Sequence, residues 1–400
     1  MYKNENASEE LAWLPSWSPA LLDLWSNTLP PIKYEAGVVL RQTIRLTAGG
    51  SRLKLGLSNL FGKLPLDIEQ AHLARPESAE VNSRIDAASD TVVTFGGSCA
   101  VTIPAGETIM SDEIDFAADT REQLVITIKL GASVPYAPAE YSSQVTGHGG
   151  GRTTTFICSG ADAGDTELFN AQTTEAWYYI ANIDVLADKS IRTIVCLGDS
   201  ITDGRGARTN FDTRWTDFLS NSLEAGSERG KYAVINKGMG GNSICHGGIG
   251  PDMAIRFDRD VLGLASVEYL VILAGINDIG GISDERELEA RLGRAQAEYG
   301  AFIRKADAAG IKVYGCTLTP MKGNEYFNPS AEKYRCLFNG WIRSGCDGAP
   351  LNGIIDFEAV IADKTDPERA LPLFITDGLH PSPEGYEQMG AAVYNALFSD

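Results

Sequence analysis

Four short segments of the chain hold small, polar and titratable residues in positions that suit acyl transfer: "GDSIT" (198–202), "NKGMGGNS" (236–243), "GIND" (275–278) and "DGLHP" (377–381). A serine hydroxyl attacks a carbonyl only if a base takes its proton, and the chain has four histidines: His72, His148, His246 and His380. His380 stands three residues after Asp377, a spacing that lets a carboxylate and an imidazole converge in one turn. The carboxylate would fix the tautomer, leaving the other ring nitrogen to accept the serine proton. Ser200 follows the apolar run "IVCLG" (194–198) after one intervening residue, so it falls in the turn after a strand, where a nucleophile can be presented. On that motif alone a plain polar turn is an equal reading, and "GDSIT" is not a G-x-S-x-G elbow, because Thr202 takes the last glycine's place.

Acyl transfer also develops a negative oxygen, which preorganised donors stabilise by on the order of 3 kcal/mol each. Backbone N–H groups of "NKGMGGNS" can approach a ligand closely because glycine has no Cβ, and the Asn277 amide can donate. Each segment by itself is an ordinary loop. Four of them, each at a strand's end, make a consistent set.

Those elements divide the chain in two. From about Gly37 to Val185 short alternating runs such as "VVLRQTIRL", "RLKLGLSNL", "LDIEQAHLA" and "LVITIKLG" are bounded by Gly, Pro, Asn and Asp, a pattern that predicts a β-sandwich or jelly roll. "TGHGGGRTTTF" (146–156) reads as a glycine-rich surface loop. After Val185, "IRTIVCL", "YAVINKG", "VEYLVILAG", "IKVYGCTL" and "NGIIDF" are continuous apolar runs, as in a parallel sheet buried on both faces. Helical periods separate them, in "RWTDFLSNSL", from Glu285 to Ala309, and from Ser382, a fitting N-cap before Pro383. The expected architecture is α/β: a doubly wound parallel-sheet domain at 189–400 preceded by a β-rich accessory domain at 1–188.

The four segments together resemble the blocks of the GDSL, or SGNH, hydrolase superfamily, and the β-rich first half is similar to that of bacterial two-domain members. The resemblance implies Ser200 as nucleophile, His380 as base and Asp377 as its orienter. It further implies an oxyanion hole made by the Ser200 N–H, the Gly241 N–H and the Asn277 side chain. Gly241 is preferred to Gly240 because it stands five residues after Asn236, as in the family pattern. Neither metal nor organic cofactor is required.

Other residues carry weaker signals. Asp199, Asn242, His246 and His148 are candidates for contact with substrate; for His246 a solvated loop position is an equal reading. His148 in "GHGGGR" mimics an oxyanion loop of a different topology and carries little weight. Asp258, Arg259 and Asp260 read as ion pairs at a helix end, Arg205 and Arg208 as surface charges, and Trp215 and Trp341 as core.

Composition narrows the partners. The net charge of −19 over 400 residues opposes approach to nucleic acid or an anionic membrane, and no run is long enough for a membrane helix. Seven scattered cysteines without a CxxC suggest buried thiols, not a disulfide framework or a zinc site. The opening "MYKNENASEELAWLPSWSPALL" has no leader pattern, which with free thiols predicts the cytoplasm, or export if a leader was removed. The expected function is a serine esterase acting on short-chain esters, in particular O-acetyl groups on small-molecule or oligosaccharide substrates, with an oligomer compatible with the sequence. The alternatives are a broad-specificity lipase or arylesterase, an acyltransferase, or a carbohydrate-binding protein with a relic second half.

Overall fold

The computed structural model describes residues 10–25, 28–29, 35–134, 143–282 and 284–399, so the first nine residues of the opening segment lie outside it. The chain divides into two compact units, Met1–Ile191 and Arg192–Asp400.

The first unit is built of antiparallel β-structure. Leu53, Leu55 and Leu57 are fully buried at alternate positions of one strand, as are Leu124, Ile126, Ile128 and Leu130 of another, and the intervening Gly56, Val125 and Thr127 are buried as well, so these strands are covered on both faces there. One sheet runs in the order Leu11–Trp17, Ile180–Asp188, Leu53–Ser58, Thr108–Met110. Another aligns Gln172–Thr174, Thr155–Ser159, Val38–Arg45, Gln123–Leu130, Leu66–Ala74 and Thr91–Val92. Two features differ from the sequence expectation. Leu11–Trp17 is a strand, paired with Ile180–Asp188, although Pro15 and a register shift beside it hide the alternation. The 146–156 stretch is not wholly a loop, since its ends belong to the strands Thr146–His148 and Thr155–Ser159. The buried Arg41 donates to the carbonyls of Ser83, Ala163 and Asp165, tying loops to the larger sheet.

The second unit has a five-stranded, all-parallel sheet: Arg192–Gly198, Tyr232–Gly238, Val267–Leu273, Lys312–Cys316 and Gly353–Ile355. Its spatial order is second, first, third, fourth, fifth. Ile194 to Leu197 and Leu270 to Ile272 have no exposed surface, which explains their unbroken apolar sequence. Because the order reverses between the first and third strands, the crevice at their carboxyl ends is the natural ligand position of such a sheet. Ser200 and Asn277 follow those two strands.

The helices form where the periodicity predicts. Trp215–Ala225 buries Trp215, Leu219 and Leu223; Glu285–Ala308 buries Leu288, Ala295, Tyr299, Phe302 and Ile303. Pro383–Phe398 is capped by Ser382, whose side chain accepts the Gly385 N–H. A further helix, Pro329–Arg343, was not anticipated; Asn328 caps it ahead of Pro329, and it buries Tyr334, Phe338 and Trp341. All seven cysteines are free: Cys158, Cys196, Cys316 and Cys346 are buried, Cys245 is half-buried, and Cys99 and Cys336 are exposed. Among the described residues no helix is long and apolar enough to cross a membrane.

The short helix Ser200–Asp203 lies directly on the end of the second strand, a contact that requires glycine. A Cβ on Gly238 would stand 2.1 Å from the Asp203 backbone nitrogen. Gly238→Ala should therefore lower unfolding stability by about 1–3 kcal/mol, because the backbone carrying Ser200 must shift. Urea unfolding measures this, and an unchanged midpoint would contradict the packing described.

Candidate active site

The turn after the first strand is shaped by two residues around Ser200. Asp199 takes an extended conformation and caps the helix, its side chain accepting the Ile201 N–H at 3.0 Å. Gly204 ends the helix after a single turn in the left-handed region, at φ 103°. Ser200 is thus a first-turn residue, whose N–H has no intrahelical acceptor.

The Ser200 hydroxyl is 2.9 Å from His380 Nε2. On the other side of the ring, His380 Nδ1 is 2.8 Å from Asp377 Oδ2, so Nδ1 carries the proton and Nε2 is left to accept from the hydroxyl. The turn is preformed by the backbone: Asp377 Oδ1 accepts the N–H groups of Leu379 and His380, at 3.1 and 2.9 Å. Burial raises the Asp377 pKa, but the hydrogen bonds from His380 and Leu379 outweigh it and hold this carboxyl below its ordinary value. The last helix fixes the spacing of the two halves, because the Tyr386 hydroxyl donates to the Arg205 carbonyl at 2.7 Å.

The glycine segment is anchored at several points. Asn236 donates to the Thr202 carbonyl and accepts from the Gly238 N–H, at 2.7 and 2.8 Å. The Gly240 N–H donates to Asp203 Oδ2 at 3.1 Å. Gly241, at φ +69°, has no such acceptor for its N–H among the described residues. Asn277 is clamped at both ends of its amide: Nδ2 donates to the Asn242 carbonyl at 2.9 Å, and Oδ1 accepts from the Tyr326 hydroxyl at 3.3 Å. An amide nitrogen carries two hydrogens, so one remains after that bond.

A hydroxyl paired with a base, and two strand ends bearing donors, form an arrangement suited to acyl chemistry. Residues 196–388 match the GDSL-like lipase/acylhydrolase family. The chain carries a domain of that family. That matched domain, just under half of the chain, is of the carboxylic ester hydrolase kind. Similar solved structures include a lipolytic protein of the G-D-S-L family from Desulfitobacterium hafniense, 23% identical, with a TM-score of 0.40 over 51% of this chain and 98% of that one. A GDSL-like lipase from Bacteroides thetaiotaomicron is 19% identical, with a TM-score of 0.38 over 50% of this chain and 85% of that one. An acetylxylan esterase from Geobacillus stearothermophilus is 19% identical, with a TM-score of 0.41 over 52% of this chain and 95% of that one. No curated protein matches the chain.

The remaining candidates have other surroundings. Asn242 is fully buried; its side chain donates to the Ile249 and Pro251 carbonyls and accepts from Arg256, so it faces protein on every side. Asp199 is likewise buried, a cap instead of a surface for ligand. His246, half-buried on the loop after the glycine segment, has Nδ1 3.2 Å from Arg294. His148 belongs to the first unit, where it is buried with Nδ1 2.7 Å from the Ala20 carbonyl. Asp258 pairs with Lys305, and Asp260 with both Arg259 and Arg256. The sequence reading passed over Arg256, Tyr326 and Asp203 of the GDSL domain. For Arg256 a signal was present, because Asp260 lies four residues on and an i,i+4 pair of opposite charge faces one way on a helix.

Burial lifts the Asp199 carboxyl from its ordinary 3.8 to about 7, partly offset by the bond from Ile201 and reinforced by Asp278. Below about pH 4 the group is protonated in both folded and unfolded chains and costs nothing. As pH rises to about 7 the unfolded chain ionises first, so stability is lost across that window and stays lost above it. Asp199→Asn keeps the cap without the charge. Relative to the parent it should gain about 4 kcal/mol of unfolding stability between about pH 4 and pH 8. Urea unfolding at both pH values tests this; an equal difference at the two would refute it.

Proposed function

We propose that the GDSL domain hydrolyses short-chain carboxylic esters by two-step acyl transfer, with O-acetylated carbohydrates as the substrate class. Ser200 attacks the ester carbonyl while His380 Nε2 takes its proton, and Asp377 holds the ring in the required tautomer and stabilises the imidazolium. The negative oxygen is received by the Ser200 and Gly241 N–H groups and by the remaining hydrogen of the Asn277 amide. His380 then protonates the departing alcohol, and water resolves the acyl-enzyme by the same route. The observation that carries this reading is the continuous hydrogen-bonded path from the Ser200 hydroxyl through His380 to Asp377.

Two features support a small acyl group on a hydrophilic alcohol. The Asp377 side chain is 41% exposed, so the reacting pair lies close beneath the surface. Residues 247–250, which follow the glycine segment, are exposed, so a polar leaving group can stay in solvent while only the acyl group enters. The first unit, which we read as a β-sandwich or jelly roll, is accessory in this scheme, since none of the reacting groups lies in it.

Ser200→Ala should lower ester hydrolysis by at least about a thousandfold with an unchanged unfolding temperature. Rates on aryl esters should fall as the acyl chain lengthens, and acetylated oligosaccharides should release acetate. Retained activity in the variant would displace Ser200, and a preference for long chains would displace the substrate class. A neutral imidazole is required, so kcat/KM should fall as the pH is lowered into the acid range, and a flat profile between about pH 5 and 8 would count against a histidine base. Asp377, held ionised well below that range, adds no second fall between about pH 5 and 8.

A further inference from the structure

One cation in the second unit is buried beyond any reach of solvent, just behind the reacting groups. Arg256, from the helix Met253–Phe257, has a side chain with no exposed surface. Its Nη2 donates to the Gly198 carbonyl at 3.0 Å, its Nη1 to the Lys237 carbonyl at 3.0 Å, and its Nε to Asn242 Oδ1 at 3.0 Å. Asp260, one turn on, neutralises it through a 2.8 Å bond from Nη1. Burial would raise the Asp260 pKa, but Lys237, Arg256 and Arg259 overcome that and bring the carboxyl to about 2.

The three acceptors are not scattered. Gly198 closes the first strand, two residues before Ser200. Lys237 lies at the end of the second strand and Asn242 directly after Gly241, so they bracket the glycine donor. The Asn242 carbonyl in turn receives the Asn277 amide. A single rigid, planar guanidinium thus fixes the mutual spacing of the backbone that presents Ser200 and Gly241, and through Asn242 that of Asn277. A lysine cannot do this, because it is a point charge without the fork that satisfies three acceptors in a plane. For stability alone a buried ion pair is a weak device, often matched by apolar residues of similar volume. Geometry is another matter, since a misplacement of about 1 Å in a reacting constellation costs on the order of 10²-fold in rate.

We propose that Arg256 is a positioning residue for ester hydrolysis, setting the distances among the three oxyanion donors without touching substrate. The inference rests on the serine-esterase reading above. The test uses the full chain in four forms: parent, Ser200→Ala, Arg256→Lys and Arg256→Met. Thermal unfolding, kcat and KM on an aryl acetate, and the affinity for a small alkylboronic acid, which forms a tetrahedral adduct on serine, are measured for each. Folded Arg256→Lys and Arg256→Met should show kcat lowered on the order of 10²-fold, KM within about twofold of the parent, and boronate affinity lost in proportion to kcat. Arg256→Lys should restore the unfolding temperature better than it restores kcat.

A folded variant with the parent's kcat overturns the proposal. So does a rise in KM at constant kcat, which would make Arg256 a substrate contact. So does loss of fold in both variants, which would make it a general scaffold residue. Failure of the esterase reading itself is read separately, from an inactive parent or an active Ser200→Ala, and the proposal then falls with it.

Discussion

The hydrogen bond between Ser200 and His380 joins residues 180 positions apart, and nothing in the local geometry of either would bring it about. It forms because the tail of the chain returns across the carboxyl end of the first strand. Tyr386 on the last helix binds the Arg205 carbonyl, and Gly206 lies so close to the Pro381 carbonyl that a Cβ there would stand 2.3 Å from its oxygen. Asp377 then turns the backbone and the ring together, accepting two N–H groups with one oxygen and facing the imidazole with the other. Removing any one of these contacts leaves the fold intelligible and the pairing unexplained.

The donor side is held by different physics. The glycine segment takes its shape from side-chain amides and one buried ion pair: Asn236 binds the Thr202 carbonyl, Asn242 the Ile249 carbonyl, and Arg256 the Gly198 and Lys237 carbonyls at the ends of the first two strands. Such groups pay a desolvation penalty that only complete hydrogen bonding offsets. Arg256 comes near that condition, with four of its five N–H hydrogens directed to three neutral acceptors and one anion. Asp199 meets it incompletely, which is why its carboxyl is driven toward the neutral form.

Much of this was legible in the residues. The unbroken apolar runs announced strands buried on both faces, and their spacing by helical periods announced parallel connections. Ser382 before Pro383 marked the start of the last helix. The family was readable because its four segments are local, each recognisable within a few residues. What stayed hidden was non-local or masked by a single residue. Pro15 concealed the strand Leu11–Trp17, whose partner lies about 170 residues away. Arg256 was concealed because its acceptors are backbone carbonyls, which every residue possesses and no sequence pattern advertises. Tyr326 reaches Asn277 from a loop whose path depends on the tertiary fold. Asp199 and Asn242, polar neighbours of Ser200 and Gly241, read in the sequence as candidates for ligand contact; in the structure both are buried and bonded to protein.

The two halves of the site are not anchored alike. Ser200 and Asn277 stand at the ends of adjacent central strands of the sheet, whereas His380 hangs from a turn beyond the last strand, secured by Asp377, by Asn324 binding the Asp377 carbonyl, and by the final helix. The final helix buries Tyr386, Met389 and Val393 completely, so the turn that carries His380 is moored to the same core as the sheet. Low-energy opening belongs to segments with few buried apolar contacts, and this tail is not one of them: the pairing of hydroxyl and imidazole is tied to the integrity of the whole second unit.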